Sequence, residues 1–189
     1  MKHVHTFTKN WLLFLFFLFL LSASAFADQN DVRLTELFRS LKSTESVGRA
    51  SVFESKIWHI WMEHYDPGVE SAMFQGVEAM KLQQFEQAFG HFSLLIKLAP
   101  DYAEGWNKRA TVLYLMGRFK ESEADVMRTL ELEPRHFGAL SGQGLIRIAL
   151  EDWKGAIYFL ESALKINPHM HGVFINLKYA RQKYKESIT

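Results

Sequence analysis

Histidine and carboxylate side chains are the residues of this sequence best suited to bind a metal ion. His169 and His171 alternate in a turn after a proline, and His59, Glu63 and His64 stand within six residues of one another. A zinc site needs three or four ligands, and the sequence around the first pair supplies no third one. The second set lacks the H-E-x-x-H order of zinc hydrolases. We therefore expect no metal and no cofactor.

Nucleophilic catalysis has no motif here either. The chain contains no cysteine and no G-x-S-x-G sequence. Glu121, Glu123 and Asp125 lie on one predicted helix surface, where we expect solvated side chains. The sequence thus predicts a protein that is not an enzyme. A hydrolase or metal enzyme with a dispersed catalytic set is the alternative left open.

Composition narrows the class of protein further. The chain has 189 residues, of which 48% are hydrophobic, so it can bury the core of one sizeable domain. Its formal charge of +1 is too balanced to indicate a nucleic-acid-binding protein. The absence of cysteine excludes disulfides and thiolate metal sites.

The N-terminus has the three-part layout of a secretory signal peptide. Lys2 and Lys9 precede an unbroken run of eleven apolar residues, 11–21, and Ala25 and Ala27 follow with A-x-A spacing. This arrangement predicts cleavage after Ala27. The apolar run is short for a membrane span, which needs about 20 residues.

Removal of residues 1–27 would leave a chain that starts at Asp28, with 20 basic and 21 acidic residues. We expect an exported protein, located in the periplasm of a Gram-negative-type bacterium. The alternative is an uncleaved segment that anchors the protein in the inner membrane, facing the periplasm.

The sequence features that indicate helices recur with a fixed period, and these helices could position functional side chains. Pro100, Pro134 and Pro168 are 34 residues apart. Three more columns keep this register: small residues at Ala88, Ser122 and Ala156, larger apolar ones at Phe92, Val126 and Leu160, and aromatic ones at Phe85, Phe119 and Trp153. Each copy has the apolar spacing of two helices, separated in one copy by Gly117.

The period and its columns resemble the tetratricopeptide repeat, whose pattern is W-x2-L-G-x2-Y, then A-x3-F, then P. Trp106 matches the tryptophan, Ala110 stands in the glycine column, and Gly76 and Gly144 hold that column in the other copies. The departures from the pattern are Ala72 and Leu140 for tryptophan and Ser122 for alanine.

This resemblance implies an all-α, right-handed superhelical solenoid of antiparallel helix hairpins. Its units are predicted at 69–102, 103–136 and 137–170. Residues 28–68 are predicted to form an N-terminal helical pair, a degenerate repeat that caps the first unit. Residues 171–189 are predicted to form a C-terminal capping helix.

Both caps carry apolar residues that need a partner surface. Phe174, Leu177 and Ala180 are expected to cover the third unit. Trp58 and Trp61 are expected in the core of the N-terminal pair, and the alternative is that they form a surface for a partner or a second copy.

Three glycines fall close together in the third unit. Gly144 occupies the small-residue column, where the two helices of a unit approach each other. Gly138 and Gly142 are four residues apart, on one helical turn that faces the predicted groove. A phosphate-binding loop is not expected, because no strand pattern and no Gly-Lys-Ser/Thr ending are present.

In the tetratricopeptide-repeat family, the first helix of each unit lines a groove that binds a peptide or helix. By resemblance, the groove residues here are Met73, Val77, Met80, Glu104, Asn107, Lys108, Thr111, Tyr114, Gly138, Ser141, Gly142, Leu145, Ile148, Ile175 and Tyr179. Some family members clamp a C-terminal carboxylate with basic and Asn residues. That clamp is not expected, since Met73, Val77, Gly138 and Gly142 stand in its columns and only Lys108 remains.

The resemblance therefore implies a non-catalytic adaptor or scaffold of the periplasm or cell envelope, which binds a protein or peptide partner. The groove is suited to a helix or an extended apolar segment. The alternative function is a membrane-anchored or self-associating scaffold that uses the N-terminal helical pair, so a homo-oligomer stays open. We expect no nucleic-acid partner, and membrane contact only through an uncleaved signal segment.

Overall fold

The computed structural model describes residues 28–189, so the predicted signal peptide lies outside the described residues. All regular elements of the described residues are α-helices, which confirms the predicted all-α class. They are α1 (Arg33–Ser43), α2 (Val47–Met62), α3 (Pro67–Lys81), α4 (Phe85–Leu98), α5 (Ala103–Leu115), α6 (Phe119–Leu132), α7 (Phe137–Ala149), α8 (Trp153–Ile166) and α9 (His171–Ser187).

Helices α3 to α8 form three hairpins, each of which packs on the next. The second helices of these hairpins begin at Phe85, Phe119 and Trp153, so the structural period equals the 34-residue sequence period. Helix α9 packs on α8 and continues the stack. The order of elements places α3, α5, α7 and α9 in equivalent positions.

The turn within each hairpin uses one residue with a left-handed backbone. Gln83, Gly117 and Glu151 have φ angles of 57°, 74° and 57°. In the middle turn, Arg118 N–H donates to Leu113 O at 2.8 Å, which closes the end of α5. Only one of the three turns has the glycine that this backbone conformation favours.

Helix starts are fixed by side-chain caps at several junctions. Asp66 Oδ1 accepts from Gly68 N–H at 2.7 Å, immediately around Pro67 at the first position of α3. Asp152 Oδ1 accepts from the N–H of Gly155 at 3.0 Å in α8. Such caps satisfy backbone donors that the helix itself leaves unpaired.

Hairpin packing confirms the prediction for Gly144. A Cβ atom there would lie 2.5 Å from Leu160 Cδ2, and one at Gly76 would lie 2.5 Å from a phenylalanine ring of α4. In the middle hairpin the same column holds Ala110, and its neighbour Val126 is a smaller side chain. The volume added on one helix is therefore removed from the other.

The C-terminal cap differs from the prediction in one residue. Leu177 and Ala180 are buried, as expected, but the third buried position is Val173. Phe174 is 57% exposed. The one-residue difference arises because Val173, Leu177 and Ala180 follow the i, i+4, i+7 spacing of a helix face, which leaves Phe174 beside it.

The N-terminal hairpin of α1 and α2 packs differently from a stacked repeat. Its buried cluster includes Ile57 and Trp61, and also Phe137 from the start of α7. Ile166 and Met170, which flank the α8–α9 turn, pack on the same cluster. The hairpin thus lies along the repeats, against the starts of their first helices, instead of extending the stack at the first unit.

Candidate functional site

A cavity of about 190 Å³ opens between α5 and α7. Seven of the predicted groove residues line it: Asn107, Thr111, Tyr114, Gly138, Ser141, Gly142 and Leu145. Ala110, Ser122, Val126 and Ile146 complete the lining. No lining residue carries a charge, and apolar residues and glycines alternate with the hydroxyls and the amide of the lining.

Gly142 gives this cavity its open floor. A Cβ atom at Gly142 would meet no atom of the described residues within 4 Å. Packing therefore does not require glycine here, unlike at Gly144 two residues later. The missing side chain widens the space above α7.

Ile175 and Tyr179 extend the predicted groove onto α9. They stand 34 residues after Ser141 and Leu145, in the same repeat columns. Ile175 is 54% exposed and Tyr179 is 45% exposed. Ile148, in contrast, is half-buried against the core between α8 and α9.

The first hairpin contributes less surface than the sequence predicts. Met73 is buried in the core of α3 and α4, and Val77 and Met80 pack against that core. Phe74, which the sequence reasoning did not select, is 67% exposed. Phe74 stands 34 residues before Lys108, in the same repeat column. The repeat period could therefore have identified Phe74 as a groove residue.

A buried polar cluster joins α5 to α7 beside the cavity. Glu104 is 1% exposed and pairs with Lys108 Nζ at 2.9 Å. Its other carboxylate oxygen accepts from Asn107 Nδ2 at 3.0 Å and lies 2.8 Å from His136 Nε2. Three predicted groove residues are therefore engaged with one another and with a histidine.

His136 holds a defined position in this cluster. Its Nδ1 accepts from Ala139 N–H at 3.0 Å and so caps α7, which places the donated proton on Nε2, toward Glu104. Burial by itself raises the pKa of Glu104, but Lys108 and His136 outweigh it, and the pKa lies below its ordinary value of 4.5. Glu104 therefore stays ionised.

The two tryptophans of α2 lie against this cluster. Trp61 is 1% exposed, and its ring stacks on His136 at 4.1 Å between centroids. Trp58 is half-buried, and a Cβ atom at Gly138 would lie 2.6 Å from its Cζ/Cη edge. Lys108 Nζ lies 5.6 Å from the Trp58 ring centroid.

Gly138 is thus explained by a contact within the chain. The element that approaches its backbone is α2, through the ring of Trp58. The contact between Trp58 and Gly138 was not predicted because it spans 80 positions. The local signal was the glycine itself, since a glycine inside a helix costs about 1 kcal/mol and calls for a close approach.

The carboxylate clamp has no basic surface available. Lys108 is paired with Glu104 and covered by Trp58. Gly138 is covered by Trp58 as well, and Met73 is buried. These positions give a bound carboxylate no free cation.

Within residues 28–189, no cluster of three or more His, Cys, Asp or Glu side chains is arranged to hold a metal ion. Over the same part of the chain, none of the helices has the length and apolar character needed to cross a bilayer.

Comparison of sequences finds relatives over about 60% of this chain, one of them named for the tetratricopeptide repeat. A TPR repeat-containing protein of Rhizobium etli is 36% identical over 114 residues, which are 60% of this chain and 56% of that protein. The Hsp70-Hsp90 organizing protein of Triticum aestivum is 30% identical over 113 residues, 60% of this chain and 19% of that protein. The chain thus spans only part of the length of these relatives. No family model matches the chain.

Comparison of structures finds domains with the same fold. The TPR domain of Sgt2 from Aspergillus fumigatus superposes with a TM-score of 0.62 at 20% identity, over 65% of this chain and 82% of that chain. The TPR2B domain of yeast Sti1, solved in a complex with an Hsp70 peptide, gives a TM-score of 0.60 at 23% identity, over 62% of this chain and 99% of that chain.

Proposed function

Because the chain has the tetratricopeptide-repeat fold and resembles tetratricopeptide-repeat proteins in sequence, we propose that it is a non-catalytic adaptor. It binds an apolar segment of a protein partner in the groove between α5 and α7. The bound segment continues over Ile175 and Tyr179 of α9.

The observation that carries this proposal is the uncharged cavity above Gly142. Its volume of about 190 Å³ is below the range of roughly 300–1,000 Å³ found for small-molecule pockets. It accommodates an apolar side chain of a bound segment more readily than a metabolite. Tyr114 adds a hydroxyl that can pair with the backbone of that segment.

Similar proteins support the class of partner and not its identity. The Sti1 domain was solved with a peptide of Hsp70, and the wheat relative is named for organising Hsp70 and Hsp90. In the described residues, the columns of the carboxylate clamp offer no free cation, because Lys108 is paired with Glu104 and Met73 is buried. We therefore propose that it recognises apolar side chains within a partner segment.

A photocrosslinking experiment tests the groove. A benzoylphenylalanine residue replaces Thr111, which is exposed and lines the cavity, or Tyr158 of α8, which is 64% exposed and outside the cavity. Crosslinks to a partner are expected from position 111 and not from position 158. Gly142→Leu should remove them, because its side chain fills the cavity while helix content by circular dichroism is unchanged. Equal crosslinking from both positions, unaffected by this variant, contradicts the groove proposal.

We also propose that the protein acts in the periplasm or cell envelope. The support is the signal-like order of residues 1–27. N-terminal sequencing of the exported protein should begin at Asp28, whereas an intact N-terminus in the membrane fraction would favour the anchored alternative. Export that persists after deletion of residues 1–27 would contradict the proposal.

A further inference from the structure

The α1–α2 hairpin contacts all three junctions between successive units. At the first junction, Tyr102 OH donates to Trp61 O at 2.7 Å, and in the segment that precedes α1, Gln29 Nε2 donates to Asp101 O at 2.6 Å. At the third, Asn167 Nδ2 donates to Glu54 Oε2 at 3.0 Å. The hairpin is therefore attached along the length of the repeats and not at one end.

The middle junction is an apolar and aromatic contact. Phe137 and Ile57 have no exposed surface, and Trp61 stacks on His136. Phe137 also lies 5.3 Å from the Trp58 ring, edge to face. A segment that displaced the hairpin would have to expose these side chains and break the hydrogen bonds at the other two junctions.

Trp58 stands where the hairpin meets the cavity. Gly138 lines the cavity and at the same time receives the edge of the Trp58 ring. Trp58 itself is half-buried, so part of this residue remains exposed to solvent. Lys108 over the same ring limits the positions it can adopt.

We infer that the α1–α2 hairpin is a fixed wall of the partner-binding groove, and that Trp58 contacts the bound segment directly. The segment then begins against Trp58, occupies the cavity above Gly142 and leaves over α9. A partner of this geometry presents a large apolar side chain next to Trp58, because the indole and the uncharged cavity lining favour one. This inference rests on the proposed function.

Native-state hydrogen exchange tests the wall without any partner. If the α1–α2 hairpin is a fixed wall, it unfolds together with α7. Amides in the middle of α2 and of α7 should then have hydrogen-exchange protection factors within about tenfold of each other. A movable lid would instead open alone, and protection in α2 would be a hundredfold or more below that in α7. That result overturns the inference.

Binding of a peptide selected on the wild-type protein from a random display library tests Trp58. Trp58→Ala should weaken binding at least tenfold, with Trp58→Phe between it and wild type, while Tyr158→Ala changes nothing. Hydrogen exchange of each variant verifies that the hairpin stays docked, and if Trp58→Ala undocks it, Trp58→Phe decides alone.

The two proposals fail in distinguishable ways. If Gly142→Leu leaves binding of the selected peptide unchanged, the groove itself is not the binding site. If Gly142→Leu abolishes binding while both docked Trp58 variants bind like wild type, the groove stands and the contact with Trp58 is refuted.

Discussion

Gly142 and Gly144 lie on the same helix, two residues apart, and the structure predicts opposite effects for the same substitution. Alanine at Gly142 meets no atom of residues 28–189 within 4 Å, so it should stabilise the protein by about 1 kcal/mol through helix propensity alone. Alanine at Gly144 gains the same propensity but places Cβ 2.5 Å from Leu160 Cδ2 and 2.6 Å from its Cγ. Overpacking of this kind costs about 1–3 kcal/mol.

The difference between the two variants isolates the packing cost, because the gain in helix propensity is common to both. Gly144→Ala should therefore be about 1–3 kcal/mol less stable than Gly142→Ala. Urea unfolding followed by circular dichroism measures this as a lower midpoint at an unchanged m-value.

The middle hairpin suggests a rescue. Its equivalent positions hold Ala110 and Val126, so Leu160→Val in the Gly144→Ala background reproduces a pair that the chain already uses. The double variant should recover part of the stability lost in the single one, a positive coupling in a double-mutant cycle. Equal stabilisation by alanine at both glycines, with no coupling to Leu160, would refute close packing as the reason for Gly144.

Three further predictions concern one carboxylate, one hydrogen bond and the backbone of two turns. Glu104→Gln should destabilise the protein at neutral pH. The folded pKa of Glu104 lies below 4.5, so the carboxylate contributes stability above pH 4.5, and this contribution is lost as the pH falls through the folded pKa. The difference in stability from wild type, measured by urea unfolding, should therefore shrink in acid. Tyr102→Phe removes the 2.7 Å hydrogen bond to Trp61 O and should cost about 1–3 kcal/mol, because a buried carbonyl loses its partner; no change in unfolding midpoint would mean that the bond contributes nothing. Glu151→Gly should stabilise, and Gly117→Ala destabilise, by about 1 kcal/mol each, since both residues have a left-handed backbone; thermal unfolding checks the opposite signs.

Most of the fold could be predicted from the sequence because repeat packing is local. Each hairpin packs on the hairpin of the next unit, which follows it by about 34 positions. The spacing of Pro100, Pro134 and Pro168 shows the same period. The reason for Gly144 could be found in the same way, since its contact lies within one unit. A period detects only contacts that recur.

The docking of the N-terminal hairpin could not be predicted because it occurs once. Its hydrogen bond from Asn167 to Glu54 spans 113 residues and has no equivalent in another unit. The apolar face of α2 indicated burial of Trp61 but did not say against which surface. Gly138 pointed to a close neighbour, and only the structure identified Trp58 as that neighbour.

The groove residues show the same difference between what the repeat period predicts and what depends on neighbours that occur once. Ser141, Gly142 and Leu145 line the cavity where the family columns put them. Met73 occupies an equivalent column but is buried, because it belongs to one core cluster with Val69 of α3 and with Tyr102, which precedes α5. Column position predicts which side of a helix a residue is on, and its neighbours decide whether that side is open.

A linear stack of repeats folds through contacts between sequence neighbours and can lose its ends one unit at a time. The bonds from Tyr102 to Trp61 and from Asn167 to Glu54 connect the first and third junctions of this stack through one element, α2. Closing such long loops raises the contact order, which slows folding. We therefore expect slow folding, followed by cooperative unfolding in which the last repeat does not fray before the others.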